Sequence, residues 1–425
     1  MTMKKFALSL WISLSTILLW AQPYGNEWID YDNNYRYYEF PVYEDGLHRI
    51  PYSVFDQANI SITENELENL RLFAFGEEVP IYIETGFDEV FTSNGDYVEF
   101  IGEGNDGRVE TQNFEDPSWH ANPDYSMYND TILYFLAIPI SNNPPGPEPK
   151  RFNEVDQSQI EDFAAKPFVW YNSKQVYSEA YHIQPLFYLD ESVTNNFRVN
   201  LNTYDLGEGW ASSIIGFRDD NSSNIQRNFE IPTPFVYTDD PSVQATLETT
   251  LIGVSNMTGG EGENDHHIQI SQSGSILVNE QYNGYRVKNY EIDRPLESLG
   301  EETTIIGFQV VDGLGVARDE QAVSRIQISY PRIPNLESLN PDQEFRFVNE
   351  FNNQSQQTRY DFENIQGTNP RIYTFGGNPQ RVELNESGGV FPVLLENWNA
   401  GLDFECLLSS DESFDLVGSL SPVNG

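Results

Sequence analysis

Residues 35–42 read Tyr-Arg-Tyr-Tyr-Glu-Phe-Pro-Val, an aromatic-rich and partly alternating run that decides the fold class. The run is followed by the turn signal Glu44-Asp45-Gly46 and then by the second short run Leu47-His48-Arg49-Ile50. Alternation of apolar and polar residues is typical of a strand with one buried face, and Asp-Gly favours a tight turn. The sequence therefore predicts two strands that are joined as a β-hairpin.

Comparable short runs recur along the chain, and Gly, Asn, Asp or Pro bound each of them, as turns require. Short helices are expected near residues 53–58 and 64–70, whereas long amphipathic helical stretches are lacking. Further strands are predicted at residues 70–75, 79–83, 96–101, 131–138, 197–201, 214–217, 245–254, 266–270, 303–311 and 324–330. This spacing predicts an all-β protein with two to three β-sandwich or jelly-roll-like domains in series.

Two proline-bearing stretches suggest where the domains meet. Four prolines fall within residues 141–149, and they cannot lie inside a sheet, so this stretch is expected to be an extended surface connection. The stretch 331–341 is also proline-bearing and polar, and we expect no sheet to run across it. The predicted division is a signal peptide at 1–21, an N-terminal β domain at 22–160, a central β-sandwich at 161–335 and a small third β domain at 336–425.

The N-terminus has the pattern of an export signal. Lys4 and Lys5 precede an apolar run at residues 6–20, and the small residue Ala21 follows it. The run is shorter than the ~20 residues that a membrane-spanning helix needs, so it fits a secretory signal peptide. We expect export through the inner membrane to the periplasm, the outer-membrane surface or the exterior, without membrane insertion after signal cleavage.

The charge balance excludes some partners. The 425 residues include 23 Lys and Arg against 66 Asp and Glu, which gives a net charge of −43. A nucleic-acid binder needs a basic surface that displaces counterions, and an anionic lipid surface also attracts basic proteins. The negative net charge therefore disfavours both classes of partner. The single cysteine excludes a disulfide framework and any site with several thiolate ligands.

The search for catalytic residues begins with that cysteine. Cys406 shares one face of a predicted strand with Leu402, Phe404 and Leu408, because side chains alternate along a strand. A cysteine on an apolar face is usually buried and unreactive, so we interpret it as structural. No histidine lies in a recognisable metal-binding or catalytic motif, and GxSxG, P-loop and GxGxxG patterns are absent. The histidines are His48, His120, His182, His266 and His267.

The adjacent residues His266 and His267 are a candidate metal site by residue type. On a strand, neighbouring side chains point to opposite faces, so the two rings cannot chelate one ion together. The sequence instead predicts that one histidine points inward with hydrogen bonds and that the other lies at the surface.

Acidic loop residues near the predicted strand 96–101 provide weak candidates for calcium. Carboxylate and amide oxygens in glycine-bearing loops are the ligands that Ca²⁺ takes, although the EF-hand spacing is missing and Asn-Gly-Asp is also an ordinary turn. The candidate ligands are Asp88, Asn94, Asp96 and Asp106. No other cofactor is predicted.

The order of several motifs resembles one known family. The motifs are Pro23-Tyr24-Gly25-Asn26-Glu27-Trp28-Ile29, Gly46-Leu47-His48-Arg49-Ile50-Pro51-Tyr52, Leu72-Phe73-Ala74-Phe75-Gly76, Gly95-Asp96-Tyr97-Val98-Glu99-Phe100-Ile101-Gly102, Tyr125-Ser126-Met127-Tyr128-Asn129-Asp130-Thr131, Gly207-Glu208-Gly209-Trp210, Asp265-His266-His267-Ile268, Tyr282-Asn283-Gly284-Tyr285 and Asn369-Pro370-Arg371-Ile372-Tyr373. In this order they resemble the gingipain-type cysteine peptidases of the type IX secretion system, the PorU-like sortases. The resemblance covers residues 23–425.

The resemblance does not extend to catalytic residues. The family's peptidase carries a histidine in a His-Gly context and a later cysteine, whereas this sequence has no His-Gly dipeptide. We therefore expect the secreted, non-catalytic N-terminal β-rich region of such a protein, truncated before the peptidase domain, with residues 421–425 as the linker. The resemblance implies protein partners, either the peptidase domain or the signal domains of secreted cargo proteins.

Two alternatives remain open. An independent β-sandwich that binds carbohydrate or a surface would need exposed aromatic rings that stack on sugars, although large aromatics are more often core residues. An enzyme with unrecognised catalytic residues would need a nucleophile paired with a base. The candidate stacking residues are Trp28, Trp119, Trp170, Trp210 and Trp398.

Overall fold

The computed structural model describes residues 29, 34–86, 90–93, 95–140, 147–183, 204–218, 221–257, 263–350, 357–397 and 402–423. The predicted signal peptide and the predicted strand at 197–201 lie outside the described residues. Strands dominate the described part of the chain, and the α-helices there are short, so the predicted all-β class is confirmed. None of the described helices has the length and apolar character that crossing a membrane requires.

The elements fall into three groups along the chain. The first group is β1 Tyr35–Val42, β2 Gly46–Pro51, α1 Tyr52–Gln57, α2 Glu64–Glu68, β3 Arg71–Ala74, β4 Glu77–Val79, β5 Ile81–Glu84, β6 Tyr97–Gly102, two 3-10 helices at Arg108–Asn113 and Pro117–Trp119, and β7 Ile132–Pro139. The second is β8 Asn153–Glu154, a 3-10 helix Ile160–Asp162, β9 Val169–Val176, β10 Ala180–His182, β11 Gly209–Ala211, β12 Ile215–Arg218, β13 Asn221–Asn224, β14 Gln226–Pro232, β15 Gln244–Gly253, β16 His266–Gln272, β17 Ser275–Tyr282, β18 Val287–Pro295, a 3-10 helix Leu296–Ser298, β19 Thr303–Val310 and β20 Arg318–Arg332. The third is β21 Phe345–Asn349, β22 Gln357–Glu363, β23 Arg371–Thr374, β24 Gln380–Glu383, β25 Val390–Glu396, β26 Phe404–Ser409, β27 Asp415–Leu416 and β28 Ser421–Pro422.

The first unit, whose core spans residues 40–138, is a two-sheet structure. Its sheets have the strand orders β28-β1-β7-β3-β4 and β27-β2-β6-β5. Aromatic residues from both sheets meet in the core: the Phe40 ring lies 5.7 Å from the Phe100 ring and 5.9 Å from the Tyr134 ring, centre to centre. The predicted short helices are confirmed, and Thr63 and Glu66 form a capping box at the start of α2.

The predicted hairpin between β1 and β2 is wrong, although both strands exist. β1 pairs with β7 and β28, whereas β2 pairs with β6 and β27 in the other sheet. Both strands carry residues of the same core, Phe40 and Val42 on β1 and Ile50 on β2. The chain therefore passes from one sheet to the other across the core, because this buries both apolar faces, and the turn residues fit such an arch as well as a hairpin.

The second and third units have separate cores but share a sheet. The second core packs the sheet β14-β19-β16-β17 against β12, β15 and β20, while the third gathers residues of β21–β26 together with Val155 and Val169. β9 pairs with β20 on one side and with β21 on the other, where Trp170 faces Val348. The expectation that no sheet crosses 331–341 is therefore wrong, because β9 bridges the two units. The proposed domain limits at 160 and 335 stay a prediction.

The C-terminal residues return to the first unit. β28 pairs with β1 and β27 pairs with β2, while Val417 and Leu420 are buried in the first core. Ser421 and Pro422, at the start of the expected linker, form the strand β28, and the linker itself stays a prediction. The C-terminal strands β27 and β28 therefore join the third unit to the first. The segment that contains β8 also connects these two units.

Candidate functional site

The structure places Cys406 as the sequence predicts. It is fully buried on β26 in the third core, and its neighbours Phe404 and Leu408 lie in the same core, whereas Leu402 is exposed. Burial raises the pKa of the Cys406 thiol well above its usual value. A thiol that stays protonated and out of reach of solvent is a poor nucleophile.

His266 and His267 also behave as predicted. His266 is fully buried: its Nδ1 lies 2.7 Å from Asp319 Oδ1 and its Nε2 lies 2.9 Å from the carbonyl oxygen of Ser255. His267 lies on the opposite face, where its Nε2 is 2.7 Å from Asn279 Oδ1. Both ring nitrogens of His266 have protein partners, so this ring is a core element.

The calcium candidates are only partly described, because Asp88 and Asn94 lie outside the described residues. Asp96 is buried, and its carboxylate accepts the backbone N–H groups of Thr92 (2.7 Å) and Ser93 (2.6 Å). Asp106 accepts from Arg108 at 2.8 Å. Within the described ranges, no group of three or more His, Cys, Asp or Glu is placed to hold a metal ion. Calcium binding stays a prediction.

The tryptophans that could stack on sugars are half-buried where they are described, namely Trp119, Trp170 and Trp210, whereas Trp28 and Trp398 lie outside the described residues. Tyr125 and Tyr181 surround Trp210 with interplanar angles of 75° and 77°. These rings do not form the co-planar platform that sugar stacking uses.

The first and third units meet at a buried joint that has an apolar and a charged part. Leu47 and Ile101 from the first unit pack with Tyr373 and Leu407 from the third. The charged part, which we call the Glu99 cluster, consists of Arg49, Glu99, Arg371, Arg381 and Asp411.

Glu99 is the centre of that cluster and is fully buried on β6. Its Oε2 accepts from Arg49 Nε at 2.7 Å and from Arg371 Nη2 at 2.9 Å, while its Oε1 accepts from the Tyr373 hydroxyl. Asp411 Oδ1 bonds the same two arginines at 2.7 and 2.9 Å. Buried charges are tolerated only when they are paired and hydrogen-bonded, so the cluster fixes the first and third units relative to each other.

A cleft of about 650 Å³ opens beside this joint and is the candidate functional site. This volume lies within the range of ligand-binding clefts in proteins. Its apolar wall is contributed by the β3–β4 turn, β4, a 3-10 helix, the segment before β8 and the β23–β24 turn. The residues are Phe75, Val79, Val109, Phe152 and Phe375.

Two of these apolar residues face solvent. Val109 is 40% exposed and Phe75 is 36% exposed. Phe75 has a φ of +52° and precedes Gly76 in a two-residue turn, a position where Asn is the usual residue. A phenylalanine in this left-handed conformation is uncommon, and here it presents its ring to the cleft, 5.2 Å from the Arg108 guanidinium carbon.

Lys150 supplies a cation at the cleft rim. The other described lysines each form an ion pair, with Glu350, Asp124 and Glu280 respectively. Lys150 is exposed and forms no ion pair with any residue in the described part of the chain. The cleft therefore combines an apolar wall with a rim lysine that has no ion-pair partner among the described residues, beside the carboxylates of Glu77, Glu78 and Glu103, which also line it.

Sequence reasoning missed the cleft. Its residues come from segments that lie as far apart in the chain as Ala74 and Pro379, so no local motif marks them. The local signal that was present is Phe75 at the first position of a two-residue turn, where an aromatic side chain has no structural advantage.

Comparison with known proteins shows the fold. No family model and no curated protein matches the sequence. Among solved structures, dimeric latent PorU from Porphyromonas gingivalis is similar, with a TM-score of 0.51 and 8% sequence identity. The match covers 92% of this chain and 33% of the PorU chain, so this chain spans a third of that protein. The Gx strain of infectious bursal disease virus gives a TM-score of 0.14, which carries no argument. The chain thus has a PorU-like β-rich fold.

Proposed function

We propose that the chain is a secreted, non-catalytic, protein-binding region of a PorU-like protein of the type IX secretion system. The observation that carries the proposal is the fold similarity to PorU over 92% of the chain. The burial of Cys406, which raises the pKa of its thiol, supports the non-catalytic part of the proposal. The partner is a type IX cargo signal domain or the gingipain-type peptidase domain of a PorU-like protein.

The cleft is the proposed binding site. A partner segment would insert an apolar side chain between Val109 and Phe375 and would place a carboxylate near Lys150. Burial of an apolar anchor supplies most of the binding energy in such interfaces, whereas a charge at the rim mainly sets specificity and association rate. Because the Glu99 cluster fixes both walls, the cleft is preformed, and preorganisation lowers the entropic cost of binding.

The purified chain is expected to cleave no peptide, including type IX signal-domain substrates. Because Cys406 is buried, a soluble thiol reagent should modify it only after denaturant unfolds the third unit. The Cys406→Ala variant should match the wild type in every peptidase assay. Thiol-dependent cleavage that disappears in this variant would contradict the proposal.

Substitution Val109→Glu is expected to weaken partner binding by about tenfold or more, since it places a charge in the apolar wall. Titration calorimetry with an isolated cargo signal domain, and separately with a PorU-type peptidase domain, measures the effect. Ile276→Glu is the matched control, because Ile276 is 58% exposed on β17, outside the cleft. An equal loss of affinity in both variants, or wild-type affinity in Val109→Glu, would show that the cleft is not the binding site.

We further propose export directed by residues 1–21. N-terminal sequencing of the mature protein from the cell envelope tests this proposal, and the expected first residue is Gln22. An uncleaved N-terminus would contradict it.

A further inference from the structure

Glu344 connects the first and third units at a point separate from the Glu99 cluster. It lies directly before β21, and its Oε1 accepts the backbone N–H of Leu47 on β2 at 2.9 Å. Its Oε2 lies against Gly46: a Cβ atom at that glycine would be 2.6 Å from the oxygen. The glycine therefore allows the carboxyl group to approach β2 closely.

Burial is the main factor that disfavours the ionised form of Glu344, and it outweighs the hydrogen bonds from the Leu47 N–H and the Ser409 hydroxyl, which favour that form. Arg346 on β21 favours the ionised form, whereas Asp415 on β27 opposes it. Arg346 forms no ion pair among the described residues, and its Nη2 is buried without a hydrogen-bond partner. On the β2 side stand His48, which stacks on Phe100, and the neighbouring carboxylates Glu44 and Asp45.

We propose that Glu344 is a pH-sensitive catch between the first and third units, closed when its carboxyl group is protonated and loosened when it ionises. In the closed state the neutral group stays against Gly46 and accepts from Leu47. The ionised group gains solvation or a pair with Arg346 only by moving away from β2, which frees the start of that strand. The inference is independent of the proposed binding function, because it concerns the joint itself.

The titration behaviour agrees with this geometry. Burial raises the pKa of Glu344 from 4.5 to about 7. Because the unfolded carboxyl group ionises near pH 4.5 and the folded one near pH 7, the folded state binds more protons in between, and stability falls as pH rises through this window. Burial lowers the pKa of His48, so His48 contributes the opposite trend below pH 6.5. A variant that removes only Glu344 separates the two contributions.

Substitution Glu344→Gln keeps a carbonyl acceptor for Leu47 and removes the charge. Urea unfolding at pH 5, 6, 7 and 8 should show that the stability of the variant relative to the wild type increases as pH rises. Between pH 5 and pH 8, the ratio of the two unfolding equilibrium constants should change by on the order of 100-fold. Glu337→Gln, an exposed neighbour, is the control and should parallel the wild type. Parallel pH profiles of wild type and Glu344→Gln would overturn the proposal.

A second measurement follows the opening directly. Hydrogen exchange in the peptide that contains residues 46–51, compared between wild type and Glu344→Gln at each pH, should diverge above pH 7, with faster exchange in the wild type. Gly46→Ala should exchange fast at pH 5 already, because its Cβ displaces the carboxyl group and because alanine is strained at the φ of +154° that Gly46 adopts. Identical exchange in all three proteins would overturn the catch even if Glu344→Gln changed overall stability.

Discussion

Substitution Glu99→Gln is expected to lower the free energy of unfolding by about 3–5 kcal/mol, the cost of removing one partner from a buried ion pair. Glu99 is fully buried between Arg49 and Arg371, and a neutral amide would leave these guanidinium groups in a nonpolar joint with Asp411 as their remaining carboxylate. Chemical denaturation of the full chain, followed by intrinsic fluorescence and by circular dichroism, measures the change.

The control for this prediction is Glu383→Gln. Glu383 pairs with Arg381 of the same cluster at 2.9 Å, but its side chain is 69% exposed. Solvent screens an exposed pair, so the change should stay within about 1 kcal/mol. If Glu99→Gln were equally mild, the cluster would not hold the two units together.

The double substitution Val417→Ala and Leu420→Ala is expected to destabilise the protein by about 3–6 kcal/mol, since each variant leaves a cavity in the first core. Both residues come from the C-terminal segment and are buried among residues of the first unit. The loss should appear mainly in the first unit, and hydrogen exchange in β1 and β7 should rise more than exchange in β15 and β20.

Leu416→Ala in the same segment is the matched control. Leu416 is 65% exposed on β27, so its truncation should change stability by no more than about 0.5 kcal/mol. A double variant as stable as this control would show that the C-terminal segment does not complete the first core.

The sequence predicted the strands better than their pairing. Period-2 alternation identified β1 and the inward face of Cys406, because burial of one face is a local property of a strand. The turn signal before β2 identified that strand, which is buried at every position from Gly46 to Ile50. Strand pairing depends on which surfaces meet: the turn after β1 is compatible with a hairpin or an arch, and only the shared core that Phe40 and Ile50 enter selects the arch.

The candidate site could not be predicted from the sequence, because it too depends on which surfaces meet in the folded chain. The cleft exists because Phe375 and Val109, which are far apart in the chain, are brought together by a joint whose centre is a buried glutamate. In a sequence with 66 acidic residues, nothing marks Glu99 as the carboxylate that is buried among arginines.

The central claim, that the cleft binds a protein partner, is tested most directly by lysine cross-linking, because residues 22–425 hold only Lys150, Lys166, Lys174 and Lys288. The purified chain is mixed with a type IX cargo signal domain or a PorU-type peptidase domain, treated with an amine-reactive cross-linker and mapped by mass spectrometry. The account predicts cross-links from Lys150 at the cleft rim, and their loss in Val109→Glu. Cross-links that involve only Lys174 or Lys288, or cross-links at Lys150 that persist unchanged in Val109→Glu, would contradict it.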